Sequence, residues 1–228
     1  MAEILAASDR SVLVRFGADM SPEHHRAVCG LMRAFERKPV AGVTSISPGF
    51  ASVLFRYDPR LLSPRDAEHA VALLLDHEES AALGGRTVEV PVCYGGEYGP
   101  DLDELAQWAG LSPDAVVELH CAVEYHVYFL GFAPGFAYLG EVDPRIAMPR
   151  RAKPRPRVPR GSVGIAARQT AVYPSATPGG WNLIGRCPLA LFSTAPECKT
   201  LLQTGDTVRF RPIDGAEFAR IAEGIPPA

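Results

Sequence analysis

Hydrophobic and polar positions along this chain change their spacing several times. Residues 11–16 alternate as a strand does. Ser21-Pro22 then supplies a helix N-cap and a first-turn proline, and Val28, Leu31, Met32 and Phe35 give that helix one apolar face. Two β-rich runs, 43–47 and 52–57, are joined by Pro48-Gly49, a hairpin signal. Ser63-Pro64 opens a second helix, with Asp66 placed to close a capping box and an apolar stripe of Ala67, Ala70, Val71, Leu74 and Leu75. Gly84-Gly85 ends this stretch. Val88, Val90 and Val92 then alternate again, and Pro91 argues for an edge strand. The predicted order is β-α-β-β-α-β, the ferredoxin-like arrangement.

Two short helices follow. Asp101 with Glu104 reads as a capping box before Leu102, Leu105 and Ala106, and Gly110 is a natural stop. Ser112-Pro113 opens the next helix, with Val116, Val117 and Leu119 inside it. After Glu124 the helix signals end. Short β-rich runs at 125–132, 162–166, 170–173, 181–185, 189–192 and 207–210 are separated by Pro and Gly, the pattern of a barrel or sandwich. The expected fold class is α+β: a ferredoxin-like α/β domain over 1–88, then a short helical linker and a β-barrel over 89–228.

Bulk composition narrows the function classes. The chain has 228 residues, 47% apolar and 21% charged, with a net charge of −3 and a pI near 6.1. This is ordinary globular composition, and it argues against general affinity for nucleic acid. Five scattered cysteines (Cys29, Cys93, Cys121, Cys187 and Cys198) include no Cys-x-x-Cys pair and fit reduced thiols. The first ten residues lack the basic start and apolar run of a signal peptide, and no apolar stretch approaches a membrane span. A cytoplasmic protein with neither membrane nor nucleic-acid partners is expected.

The balance of charge hides a swing. Residues 87–144 hold ten acids and no Lys or Arg, whereas residues 145–196 hold nine bases and no Asp or Glu. Within the second block, residues 148–160 carry six cations and four prolines, a composition that excludes regular helix and favours extended chain. Three roles are open to it: a solvated loop, an arm that grips an anion or a partner's acidic face, or a partner for the chain's own acidic block. Arg155 and Arg157 are its candidate anion contacts, because guanidinium binds phosphate or carboxylate through paired donors. Gln169 and Thr170 offer neutral hydrogen bonds. Gly179 and Gly180 let backbone N–H groups approach an anion, and Trp181 offers a ring for stacking. Phe132, Pro134, Phe136 and Tyr173 are candidate groove-lining residues. A barrel core with turn glycines would use the same residue types.

Other chemistry finds little support. The phosphate-loop, Gly-x-Gly-x-x-Gly, His-Glu-x-x-His and Gly-x-Ser-x-Gly patterns are absent. Glu118, His120, Glu124 and His126 straddle a helix-to-strand junction and read as exposed polar positions, so no metal ligands and no catalytic residue are assigned. Residues 105–112 have the cadence of a DNA-binding helix-turn-helix. The helices from Asp101 to His120 carry five acids and no Lys or Arg, which is opposite to what phosphate contact needs.

The motifs themselves resemble one family. Tyr94-Gly95-Gly96-Glu97-Tyr98-Gly99-Pro100-Asp101, Gly131-Phe132-Ala133-Pro134-Gly135-Phe136, Arg157-Val158-Pro159, Gln169-Thr170, Tyr173-Pro174, Pro178-Gly179-Gly180-Trp181-Asn182 and Leu202-Gln203-Thr204-Gly205-Asp206 resemble the B component of the prokaryotic ATP-dependent 5-oxoprolinases. That family is also called allophanate hydrolase subunit 1 and includes the sporulation-kinase inhibitor KipI. One departure is visible: Ala167-Arg168 stands where the family leads one to expect Gly-Gly. The resemblance implies a cyclophilin-like barrel and a complex with the C and A components of 5-oxoprolinase, the C component in direct contact. With ATP and Mg2+ at the level of the complex, that assembly opens 5-oxo-L-proline to L-glutamate. Residues 145–196 offer cations and donors but no carboxylate for Mg2+, so this chain is expected to form one wall of a composite site and to be inactive alone. The rival implication is a KipI-like inhibitor of a sensor histidine kinase. Peptidyl-prolyl isomerase activity would rest on fold analogy alone.

Overall fold

The computed structural model describes residues 2–75, 85–195 and 200–224, in two compact units, Met1–Gly84 and Gly85–Ala228. Gly84 of the expected Gly84-Gly85 stop, and Cys198, lie outside the described residues.

The first unit contains β1 (Glu3–Ser8), β2 (Ser11–Arg15), α1 (Pro22–Arg37), β3 (Val43–Pro48), β4 (Ser52–Tyr57) and α2 (Pro64–Leu75). The strands form one antiparallel sheet in the order β1-β2-β4-β3. Both helix starts obey their local signals. Ser21 Oγ accepts the His24 N–H at 3.1 Å. Ser63 Oγ accepts the Asp66 N–H at 3.2 Å and donates to the Asp66 carboxylate at 2.7 Å. The helices' apolar stripes, among them Val28, Leu31, Val71 and Leu74, pack with Val14, Val53 and Phe55 of the sheet. The expected order β-α-β-β-α-β is corrected here. The strand at Val88–Val92 belongs to the other unit, and β1 pairs with β2 instead. β1 escapes a sequence reading because five of its six residues are exposed, so it carries no hydrophobic alternation.

The second unit runs β5 (Thr87–Tyr94), α3 (Leu102–Ala109), α4 (Pro113–Cys121), β6 (Glu124–Leu130), β7 (Ala137–Gly140), β8 (Arg155–Val158), β9 (Ser162–Ala166), β10 (Gln169–Val172), β11 (Thr177–Gly179), β12 (Asn182–Arg186), β13 (Thr207–Ile213) and α5 (Gly215–Ala222), with one 3-10 turn at Pro144–Ile146. Seven strands close into a barrel in the order β10-β7-β6-β13-β5-β12-β9, while β8 and β11 form a separate two-stranded ribbon. β5 is therefore not an edge strand: it lies between β13 and β12. Pro91 is tolerated because the β12 ladder touches only Cys93 and Tyr94, so its missing N–H breaks no β12 pair. The 189–192 run is not a strand. Phe192 makes a single bridge to Thr200 and Leu191 enters the core. Pro188 lies just before this run and lacks the N–H that a ladder needs.

Strand alternation divides the barrel wall between two apolar clusters. Val163 and Ile165 of β9, Val172 of β10 and Ile184 of β12 join the main core. Their neighbours Ala166, Ala171 and Leu183 join a second cluster with Phe136, Val158, Tyr173 and Trp181. Successive side chains of a strand point to opposite faces, so one face fills the barrel and the other lies under the β8–β11 ribbon. That second cluster is the floor of the site described below.

The β9–β10 hairpin turns through Ala167 and Arg168, with Ala166 paired to Gln169. Ala167 has φ +50°, a left-handed value that costs a residue with a Cβ about 1–2 kcal/mol. Ala167→Gly is expected to stabilise the protein by about 0.5–1 kcal/mol, net of glycine's extra unfolded-state entropy. A urea melt that shows no rise in midpoint would contradict this. The Arg168 side chain is ion-paired with Glu141.

Candidate functional site

An aromatic cleft lies on the outer face of the barrel. Its walls come from Phe132 and Phe136 in the Pro-Gly turn after β6, Tyr138 of β7, Tyr173 after β10, Gly179 at the end of β11, and Gly180 and Trp181 before β12, around a cavity of about 230 Å³. The rings pack edge to face around Phe136: centroids lie 5.0 Å from Tyr138, 5.3 Å from Tyr173 and 5.8 Å from Trp181. Phe136, Tyr173 and Trp181 are buried, whereas Phe132 is 65% exposed at the rim and held at φ +64°. Burial raises the Tyr138 phenol and pushes Tyr173 up to about 12. Both therefore remain protonated hydrogen-bond donors at neutral pH. Gly179 is required by close approach: a Cβ there would sit 2.4 Å from Tyr173 Oη.

One cation enters the cleft. The Arg150 guanidinium sits 5.7 Å from the Trp181 ring centroid, a cation–π distance. Three contacts fasten the arm that carries it. Asn182 Nδ2 donates to Pro149 O at 2.8 Å, and Arg151 N donates to Gly180 O at 2.8 Å. Asp101 Oδ1 accepts from Arg151 Nη1 at 3.0 Å and from Arg155 Nη2 at 2.6 Å. The other oxygen of Asp101 accepts the Leu183 N–H at 2.7 Å, and its side chain is 4% exposed. The expected Asp101–Glu104 capping box is thus absent. Asp101 makes no side-chain cap bond, because arginines about fifty residues away and a β12 amide take its carboxylate. Glu104 also pairs with Arg151, at 3.0 Å.

The predicted site residues separate into groups. Gly179, Gly180, Trp181, Phe132, Phe136 and Tyr173 converge on the cleft. Pro134 is exposed and outside its lining. Arg155 and Arg157 belong to a different cavity, with Arg186. Thr170 is buried inside the barrel, where its hydroxyl donates to Gly164 O at 3.1 Å. Gln169, half-buried beside it, pairs with Gly140 and Ala166 through the sheet. The sequence pattern does not single out Arg150, Tyr138 or Asn182. Tyr138 lies two residues after Phe136, on the same face of the chain entering β7, and that alternation is the available signal.

His120 corrects another expectation, because it is fully buried and not an exposed polar residue. Thr170 gives its one proton to Gly164 O, so His120 Nε2–H donates to Thr170 Oγ1 at 3.0 Å. Nδ1 then accepts from the Tyr94 hydroxyl at 2.8 Å. Phe210 stacks on the ring at a centroid distance of 4.5 Å. Burial lowers its pKa from 6.5 to about 3. The folded protein refuses a proton that the unfolded chain accepts. The stabilising contribution is complete above about pH 6.5 and is lost as pH falls toward 3, by up to ~1.4 kcal/mol per pH unit. His120→Phe is expected to remove this slope, while costing stability at pH 7 because two hydroxyls lose their partner. Urea midpoints measured between pH 7 and 4.5 check this, and parallel profiles for the two proteins would refute it.

Glu118, His120, Glu124 and His126 do not converge as a cluster. Glu124 is ion-paired with Arg209, and no group of three potential metal ligands occurs among the described residues. No helix among the described residues is long and apolar enough to cross a membrane.

The fold itself recurs in solved proteins. The fold matches the protein TTHA0988 with a TM-score of 0.80 at 40% identity, covering 90% of this chain and 40% of that one. It also matches the urea amidolyase of K. lactis with a TM-score of 0.80, at 20% identity, over 97% of this chain and 15% of that one; this second likeness concerns the fold alone. Residues 2–202 match the family described as carboxyltransferase domain, subdomain C and D. In the sequence comparison, the 5-oxoprolinase B component of Bacillus subtilis (strain 168) is 42% identical over 95% of both chains. The chain belongs to the carboxyltransferase-domain family of subdomains C and D, in the branch of the 5-oxoprolinase B components.

Proposed function

We propose that this chain is the B component of an ATP-dependent 5-oxoprolinase complex. In that complex it binds 5-oxo-L-proline in the aromatic cleft and supplies one wall of a site completed by the C component, with the A component in the same assembly. The observation that carries the reading is the cleft's lining among the described residues: rings, phenol donors, glycines and one guanidinium, with no carboxylate. A flat five-membered lactam suits the edge-to-face rings. Its carboxylate suits the paired donors of Arg150.

The same lining limits the chemistry that this chain performs. A lactam carbonyl is a poor electrophile and needs activation before water can open the ring. Mg2+ requires oxygen ligands, usually carboxylates, and the described residues of the cleft offer no carboxylate. These residues do not fit a metal–nucleotide centre, so ATP and Mg2+ are assigned to the complex and no step through them is placed here. What the cleft does is orient the substrate, exclude water with Phe132 and Phe136, and hold the carboxylate end. The chain matches 40% of the length of TTHA0988, at 40% identity, which supports a barrel that works beside a further unit.

The test is reconstitution. Glutamate release from 5-oxoproline and ATP is expected from the chain copurified with the C and A components and not from the chain alone. Turnover by the isolated chain would refute the composite site.

A further inference from the structure

A second cavity, of about 220 Å³, lies beside the cleft on the same barrel and is lined by arginines. Arg155 and Arg157 stand two apart on β8, so their side chains leave the same face of the strand. Arg186 joins them from the end of β12, with Tyr98, Ser162 and Glu97 in the lining. The three guanidiniums differ in their engagement. Arg155 Nη2 is held by Asp101, but its Nη1 is buried with no hydrogen-bond partner. Arg186 Nε donates to Arg160 O at 3.0 Å, which orients its remaining donors. Arg157 is exposed and makes no ion pair with a described residue. Asp101 offsets Arg155, so among the described residues of the lining two cations face one exposed carboxylate, that of Glu97.

Like charges gathered in one cavity repel unless an anion joins them. We propose that this cavity binds a tetrahedral oxyanion of the phosphoryl class, either free phosphate or the phosphate of a larger molecule. Its oxygens accept from the Arg157 and Arg186 forks, with the Asp101-held Arg155 beside them. A carboxylate has two oxygens and satisfies one fork. The cavity adjoins the cleft through backbone, since Arg155 pairs with Gly179 in the β8–β11 ladder. The proposal does not depend on the reading of the cleft.

Calorimetric titration of the purified chain with inorganic phosphate, ADP and acetate tests it. Phosphate is expected to bind, acetate far more weakly, and added salt to weaken both. ADP that binds more tightly than phosphate assigns the occupant to a larger molecule, and equal affinity assigns it to the free ion. Arg157→Ala and Arg186→Ala are each expected to lower phosphate affinity about tenfold, Arg157→Lys to recover only part of it, and Glu97→Gln to raise it. Unchanged melting temperatures show that the variants fold. Acetate binding as well as phosphate, unchanged affinity in both alanine variants, or a loss confined to Arg150→Ala would each overturn the proposal.

Discussion

Asp101→Ala is expected to destabilise the barrel unit by about 3 kcal/mol, with a fall in melting temperature of roughly 10 °C. The side chain is 4% exposed and accepts from Arg151, Arg155 and the Leu183 amide. Its removal leaves the buried Leu183 N–H and Arg155 Nη2 without their acceptor, while Arg151 keeps Glu104. The arginines are about 26–30% exposed and regain some water, which keeps the loss at the low end for a broken buried pair. Asp101→Asn retains an acceptor for Leu183 and is expected to lose about half as much. Urea denaturation of the three proteins measures both values, and a loss under about 1 kcal/mol in Asp101→Ala would show that the hub is not structural. The same substitution removes one of the three fastenings of the arm that carries Arg150, so cleft geometry is expected to loosen with stability.

Arg150→Ala should show the reverse balance. In the reconstituted complex it is expected to lower kcat/KM for 5-oxoproline roughly 10- to 100-fold, chiefly through KM, because it removes a charge-assisted contact to the substrate carboxylate. Stability should change by less than about 1 kcal/mol, since the arm keeps its Asn182, Gly180 and Asp101 fastenings. Arg150→Lys restores the charge but not the fork and should recover part of the affinity. Steady-state kinetics on the complex, with its assembly checked by gel filtration, decides it. A kcat loss at unchanged KM would remove Arg150 from carboxylate binding.

Local signals are legible wherever a few adjacent residues decide the outcome. Ser21-Pro22, Ser63-Pro64 and Ser112-Pro113 each start a helix, and the serine hydroxyls make their cap bonds. Gly110 ends α3 at φ +68°. Asp101-x-x-Glu104 has the same spacing and fails, because Arg151 and Arg155 compete for the carboxylate from far along the chain. The run at 88–92 reads as a strand, but its alternation does not say which sheet it joins, and it joins the barrel. Six of the candidate site residues share the cleft because they lie on turns whose composition is distinctive. Arg155 and Arg157 do not share it, because charge along the sequence does not record which face of β8 points where.

The sequence by itself determined the short-range features: caps, turns, β-rich runs, the family motifs, and a cationic segment without carboxylates. Only the tertiary structure decided which sheet each strand joins, that His120 is buried and neutral, and that Asp101 holds the arm that places Arg150 over Trp181. The physical reason is range. Capping and alternation act over a few residues, whereas burial, ion pairing and strand partnership also draw on segments far apart in the chain, as Asp101 with Arg151 and β5 with β13.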